Sequence, residues 1–156
     1  MKTRGFEVVK EYYDKEIHIP VRKTKFSAAY DIEAAEDIVL PSFQKGMKPT
    51  LIPTGLKAYM QSDEVLLIVP RSSGPKKQGI TFPHNVGVID SDYYNNIENE
   101  GHIWICLQNC GDTDYVVHRG DKICQMMFIK YLTVDDEEEI TRERVNGFGS
   151  TDRKEG

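Results

Sequence analysis

Nothing in this 156-residue chain approaches the ~20 consecutive apolar residues of a membrane span. The N-terminus, Met-Lys-Thr-Arg-Gly-Phe-Glu, also lacks the hydrophobic core of a secretion signal. Both absences predict a cytoplasmic protein with no membrane partner. Cysteine is scarce, with three thiols, at Cys106, Cys110 and Cys124. That odd count, with no second closely spaced pair, fits neither a disulfide framework nor a zinc site, and predicts reduced thiols. A basic excess is missing as well: 20 Lys and Arg stand against 25 Asp and Glu, for a net charge of −5. This excludes a general nucleic-acid binder, which needs a basic face, but not a nucleotide binder, for which a few local cations suffice. Internal repeats, low-complexity linkers and amphipathic helices longer than about two turns are absent too.

What is present is a chain of one-domain length with an ordinary 39% of hydrophobic residues. Its apolar segments are short and punctuated by Gly, Pro and Asp. Candidate strands are Phe6–Val9, Ile17–Val21, Ile38–Leu40, Thr50–Ile52, Leu56–Met60, Val65–Val69, Val86–Ile89, Ile103–Leu107, Tyr115–Val117 and Ile123–Leu132. Many short strands separated by turn signals predict an all-β sandwich or barrel. Val65–Val69 is apolar throughout, as in a strand buried on both faces, whereas His102–Gln108 alternates and places its isoleucines and Leu107 on one face. The acidic run Asp135–Glu139 reads as a solvated exit from the core, since consecutive carboxylates do not converge on one ion. Beyond Thr141 the chain is polar and Gly-rich, so residues 1–140 are predicted to form the domain and 141–156 a flexible tail.

Several segments carry chemistry. In Gly87-Val88-Ile89-Asp90-Ser91-Asp92-Tyr93-Tyr94 a short apolar run delivers one carboxylate, then a second, then two phenols. The preceding Phe82-Pro83-His84-Asn85 reads as a turn, which makes this a hairpin arm ending on Asp90. A carboxylate at a strand end is held rigidly enough for a general base, although the same pattern also serves as an ordinary solvated strand end. Pro70-Arg71-Ser72-Ser73-Gly74 follows the buried strand directly. Amides and hydroxyls in such a turn form an anion-binding nest, and Arg71 either adds a cation or braces the turn through a carboxylate. The bland reading is a turn closing a hairpin. Ala29-Tyr30-Asp31-Ile32, Gly120-Asp121-Lys122-Ile123-Cys124-Gln125 and Gly147-Phe148-Gly149-Ser150-Thr151 complete the set. Phe148 has no core to join, and a bound ligand would give it a ring to cover.

Taken in order, these five segments resemble the five motifs of the trimeric dUTP pyrophosphatases (dUTPases), and they span residues 29 to 151. The resemblance implies a jelly-roll-like β-barrel that assembles as a homotrimer with shared sites. It also implies an enzyme that hydrolyses dUTP to dUMP and pyrophosphate, keeping uracil out of DNA and supplying dUMP for dTMP synthesis. Asp90 would be the base that activates water for in-line attack on the α-phosphorus. The matching Ser of the turn Arg71, Ser72, Ser73 and Gly74 would lie on the oxygen bridging the α- and β-phosphates. Gln125 would contact the α-phosphate or the metal's water shell. Asp31 would accept hydrogen bonds from metal-bound water or secure the frame. The implied cofactor is Mg2+, held chiefly by substrate phosphates. Backbone groups of Gly87, Val88 and Ile89, and of the returning strand around Trp104, would read uracil, while Tyr93 would pack on the deoxyribose and reject a 2′-hydroxyl. Tyr94 reads as structural. In the tail, Arg144 would meet the γ-phosphate, with Arg142 as runner-up. Ser150 and Thr151 would donate hydrogen bonds, Phe148 would stack over the base, and Gly149 would let the loop close.

The chain also departs from the family pattern. His84 stands where Asn is usual, with Asn85 beside it, and either side chain could serve. Val145-Asn146 replaces part of a glycine run, and Asp152 stands where Gly is usual. The excursion Tyr94–Gly101 is longer than in short family members and is similar to the dUTPases of Gram-positive bacteria and their phages. It is also the feature that would serve a rival reading, a dUTP-gated protein that switches a regulatory partner surface. The other rival is an enzyme like dCTP deaminase, of the same fold.

Overall fold

The computed structural model describes residues 1–73 and 79–145. Eleven strands run in chain order: β1 (Gly5–Val8), β2 (Tyr30–Glu33), β3 (Ile38–Leu40), β4 (Thr50–Pro53), β5 (Leu56–Tyr59), β6 (Glu64–Val69), β7 (Ile80–Thr81), β8 (Gly87–Asp90), β9 (Trp104–Asn109), β10 (Tyr115–Val117) and β11 (Lys122–Lys130). The fold is all-β, and every strand pairing is antiparallel. One sheet has the order β2-β11-β6-β8 and a second the order β4-β9-β7, with the two-stranded ribbons β1-β5 and β3-β10 beside them. Among the described residues, no helix is long and apolar enough to cross a membrane.

The core forms because alternate residues of both larger sheets point inward. Ile32, Leu66 and Met126 of the four-stranded sheet meet Ile52, Ile105 and Leu107 of the three-stranded one, all essentially excluded from water. Burying each such side chain contributes roughly 1.5–3 kcal/mol. Through Ile103 and β9 the alternation is as expected, with Ile103, Ile105 and Leu107 buried and Trp104 and Cys106 half-exposed.

Three expectations change. Ile17–Val21 is not a strand: Ile19 and Val21 are exposed, Pro20 has no amide to offer a ladder, and the nearest pairing is a single bridge just after it, from Arg22 to Tyr30. β2 was not recognisable as a strand because Tyr-Asp-Ile-Glu is half charged, and β7 is only two residues long. β6 is not fully buried on both faces. Val65, Leu66 and Ile68 are buried, but Leu67 and Val69 are half-exposed. Leu67 lies in a cross-strand row between Met127 and the exposed Val88, so the outer face of this sheet carries an apolar stripe.

His102 enters β9 from the core side and is 4% exposed. Its Nε2 accepts the Gly55 amide at 3.0 Å, and its ring packs against Tyr12 and Trp104. A ring nitrogen that accepts an amide proton cannot carry its own, and burial pushes the imidazole down to about 4. Between pH 6.5 and 4 the unfolded chain therefore binds a proton at this residue that the folded chain refuses. Stability is complete above 6.5 and falls as the pH drops through that window, by up to about 3 kcal/mol. Urea unfolding across the window should show this loss, and His102→Gln should flatten it.

Candidate active site

The chemistry-bearing residues gather in two places, both built on β6. At its C-terminal end, Val69 lies directly opposite Gln125 of β11, and Gln125 lies directly opposite Asp31 of β2. Directly paired residues share a face of the sheet, so Asp31 and Gln125 are side-chain neighbours. The chain then leaves β6 through Pro70 and Arg71. The Arg71 guanidinium donates from Nε to Asp31 Oδ1 at 3.1 Å and from Nη1 to the Lys122 carbonyl at 3.2 Å. Lys122 Nζ stands 3.8 Å from the other Asp31 oxygen. Of the two roles open to Arg71, this geometry is the brace. Likewise Asp31 secures the frame, tied to two cations. Gln125 donates from Nε2 to the Pro70 carbonyl at 3.2 Å, which fixes the turn and leaves its amide oxygen directed elsewhere. Ser72 is exposed and Ser73 half-exposed on that turn. Beside them lies a small cavity of about 210 Å³ whose lining includes Arg71, Ser73 and Lys122. Gly74 lies outside the described residues.

The second place runs along the opposite edge of β6, where Ile68 near the C-terminal end lies opposite Gly87 and Val65 near the N-terminal end lies opposite Asp90. β8 is the last strand of its sheet, so its second backbone edge has no strand partner among the described residues. The expected hairpin arms, Val86–Ile89 and the strand around Trp104, do not pair with each other. β8 is bonded to β6 and β9 to β4 and β7, because each arm is held by the sheet behind it. The hairpin is thereby splayed. A cavity of about 570 Å³ fills the gap, lined by His84, Val86, Gly87, Val88, Ile89, Asp90, Tyr93 and Trp104, and also by Leu51, Ile68, Cys106 and Arg144. Gly87 packs closely on β6, where a Cβ would come to 3.0 Å from the Ile68 side chain. Asn85 turns the chain into β8 with φ of +64°, a conformation Asn tolerates better than most residues. Backbone position therefore explains Asn85, whereas His84 is the one of the two that faces the cavity.

Asp90 ends β8 and begins a 3₁₀ turn, Ser91–Tyr93, that carries Asp92 and Tyr93. The Asp90 and Asp92 side chains are 54% and 57% exposed, and Asp90 lines the cavity. Tyr93 is 6% exposed, and burial pushes its phenol up. Its hydroxyl donates to the His102 carbonyl at 2.7 Å. Tyr94 is structural, donating to Glu7 at 2.6 Å with the Lys57 ammonium over its ring.

Arg144 is paired with the two carboxylates of this turn. Its Nη2 donates to Asp90 Oδ2 at 2.6 Å and its Nε to Asp92 Oδ1 at 2.7 Å. The two carboxylates lie two positions apart, and the guanidinium fork satisfies both. Sequence reading had no partner for Asp92, and an i, i+2 carboxylate pair was the only signal available. Arg142 is exposed. Phe148, Gly149, Ser150 and Thr151 lie outside the described residues.

The two places do not converge within one chain. Val65 and Val69 are separated by about 13 Å along β6, at the rise of an extended strand, so Asp90 and Gln125 sit at opposite ends of it.

The family model for dUTPase matches residues 15–152. A deoxyuridine 5′-triphosphate nucleotidohydrolase of Lactococcus lactis is 51% identical over 152 residues, covering 97% of this chain and 99% of that protein. The corresponding protein of a gamma-proteobacterium is 35% identical over 140 residues, covering 86% and 95%. Among solved structures, the dUTPase of Streptococcus mutans superposes with a TM-score of 0.78 at 41% identity, covering 84% of this chain and 98% of that one. A mutant dUTPase from the Staphylococcus aureus phage phi11, whose structure concerns coordination of a structural Mg(II) ion, has a TM-score of 0.70 at 19% identity, covering 90% and 98%, and so shares the fold. A splayed hairpin ending on Asp90, a braced phosphate-type turn at Arg71 and these matches agree, and the chain belongs to the dUTPase family.

Proposed function

We propose that this protein hydrolyses dUTP to dUMP and pyrophosphate, with Asp90 as the general base. The observation that carries this reading is the position of Asp90, at the end of an unpaired strand edge and at the mouth of the cavity along that edge. The open edge of β8 presents amides and carbonyls to the rim of a uracil ring, and the apolar walls exclude a 5-methyl group. Tyr93 lies flat against the deoxyribose. A water held by Asp90 attacks the α-phosphorus, its proton passes to the carboxylate, and pyrophosphate leaves. Ser72 and its neighbours in the turn bind the leaving phosphates. A dCTP deaminase activity, the same-fold alternative, has no role for this base on the phosphate side.

Separation of the two places supports assembly. One triphosphate must touch both Asp90 and the Arg71–Ser73 turn, and about 13 Å of β6 separates them in a single chain. A homotrimer that sets the β8 end of one copy against the turn of the next completes the site, and the apolar stripe along Leu67 is a surface such packing would cover. Residues 1–140 form the body and 141–156 the lid. The Arg144 contact supports the lid reading, because it brings the tail to the catalytic carboxylate. Nucleotide phosphates compete for that guanidinium and free Asp90 to work as a base.

Magnesium fits the donors in one form. Gln125 offers a hard amide oxygen beside Asp31, whose own oxygens face Arg71 and Lys122, so an ion here would be held mainly by its waters and the substrate phosphates. When bound, it neutralises phosphate charge. A cytoplasmic setting, without nucleic acid or membrane as partner, completes the reading.

Incubation with dUTP, UTP, dTTP and dCTP should give dUMP and pyrophosphate from dUTP alone; deaminated dCTP would overturn the assignment. Asp90→Asn should keep nucleotide binding and lose turnover by ~10²-fold or more, measured in single-turnover assays. Sedimentation should give a mass near three chains. Mixing Asp90→Asn with a chain truncated after Thr141 should recover activity that neither has alone, whereas full activity of a monomer would sink the shared-site picture.

A further inference from the structure

The excursion from Tyr94 to Gly101 is a closed knot of hydrogen bonds that begins at the Tyr93 backbone and ends at the Tyr93 hydroxyl. Asn96, 8% exposed, donates from Nδ2 to the Tyr93 carbonyl at 2.8 Å and to Asn99 Oδ1 at 2.7 Å. Its own oxygen accepts the amides of Glu98 and Asn99. Asn99 Oδ1 also accepts the Gly101 amide at 3.0 Å, and Asn99 Nδ2 donates to Tyr93 Oη at 2.8 Å. Gly101 closes the knot at φ of +81°, where a Cβ would meet the Tyr93 carbonyl at 2.7 Å. The buried Lys57 ammonium clamps the outside, donating to Asn95 Oδ1 and Glu100 Oε1 at 2.7 Å each.

The Asn99 amide fits one way round. Flipped, its NH₂ would face the Asn96 NH₂ and the Gly101 amide, donor against donor. Its oxygen would then face a phenol whose proton is already given to His102. The Tyr93 hydroxyl is thus held from both sides, by a donor from the excursion and an acceptor from β9's entry. A ring pinned in this way cannot yield to one extra oxygen atom on a sugar, whereas a ring held by packing alone can shift by fractions of an ångström.

We infer that Asn99 is a positioning residue for Tyr93, and that the 94–101 excursion exists to fix that ring and so to set the preference for deoxyribose. This rests on the proposed placement of Tyr93 against the sugar. The test is kcat and KM for dUTP and UTP in Asn99→Asp, Tyr93→Phe, the double variant and Tyr93→Ala. Asn99→Asp keeps the acceptor used by Asn96 and Gly101 but puts a charged acceptor in place of the donor to Tyr93, so the phenol is no longer held between one donor and one acceptor. It should lower the dUTP-to-UTP ratio of kcat/KM about five-fold, the worth of one hydrogen bond, chiefly through a lower KM for UTP. Tyr93→Phe, which leaves the excursion's own bonds intact, should relax the ratio similarly, so the inference stays testable if Asn99→Asp folds poorly. In the Tyr93→Phe background Asn99→Asp should add nothing. Additive effects would make Asn99 merely structural and overturn the inference, as would an unchanged ratio in both single variants. An unchanged ratio in Tyr93→Ala would remove Tyr93 from the sugar altogether, and this inference with it.

Discussion

Strand β6 is hydrogen-bonded on both sides, to β11 and to β8, and most of what this protein does depends on that double pairing. Register is set by the burial of Leu66 and Ile68, because a slip of one residue would turn both out of the core. With register fixed, Asp90 must fall opposite Val65, and Gln125 must fall opposite Val69. No other contact is needed to place the two halves of the site. The core therefore positions chemistry it never touches, and a rigid ladder rather than a loop decides where the base stands.

Charge is then used in two different ways at the two ends. Asp31, Arg71 and Lys122 form a closed set at the phosphate turn, in which the carboxylate's task is to aim a guanidinium. Around Asp90 and Asp92 the side chains are more than half exposed, and Arg144 bridges them from a coil segment rather than from a strand. Exposed pairs of this kind contribute little to stability, about 0–1 kcal/mol, and are readily exchanged for another partner. A fixed pair where the frame must hold and an exchangeable one where a ligand must enter is consistent with the division of labour proposed above.

How much of this was legible in the sequence depends on range. Strands with clean alternation, such as β9, could be read directly, as could Asp90 at the end of an apolar run. β2 is hidden as a strand because its charged residues, Asp31 of the site and Glu33, break the pattern. Ile17–Val21 looked like a strand because local apolar content says nothing about whether a partner exists. The pairing of Ile68 with Gly87, the splaying of the hairpin and the Asn99–Tyr93 bond are all consequences of tertiary register, and no local pattern encodes them. The carboxylates at 90 and 92 were visible, but their shared attraction for Arg144, more than fifty positions on, was not.

The edge of β8 that no strand among the described residues pairs has a cost as well as a use. Free amides and carbonyls along a strand edge can join any extended peptide, so the feature suited to reading a base is also a template for unwanted self-pairing. Several properties blunt it. The strand is four residues long and ends on a carboxylate, with a second one just beyond. Gly87 offers no side chain for a foreign strand to pack on, and Arg144 crosses the end of the edge. Acidity at this spot thus guards the solubility of the folded chain, and substitutions that neutralise it affect aggregation as well as chemistry.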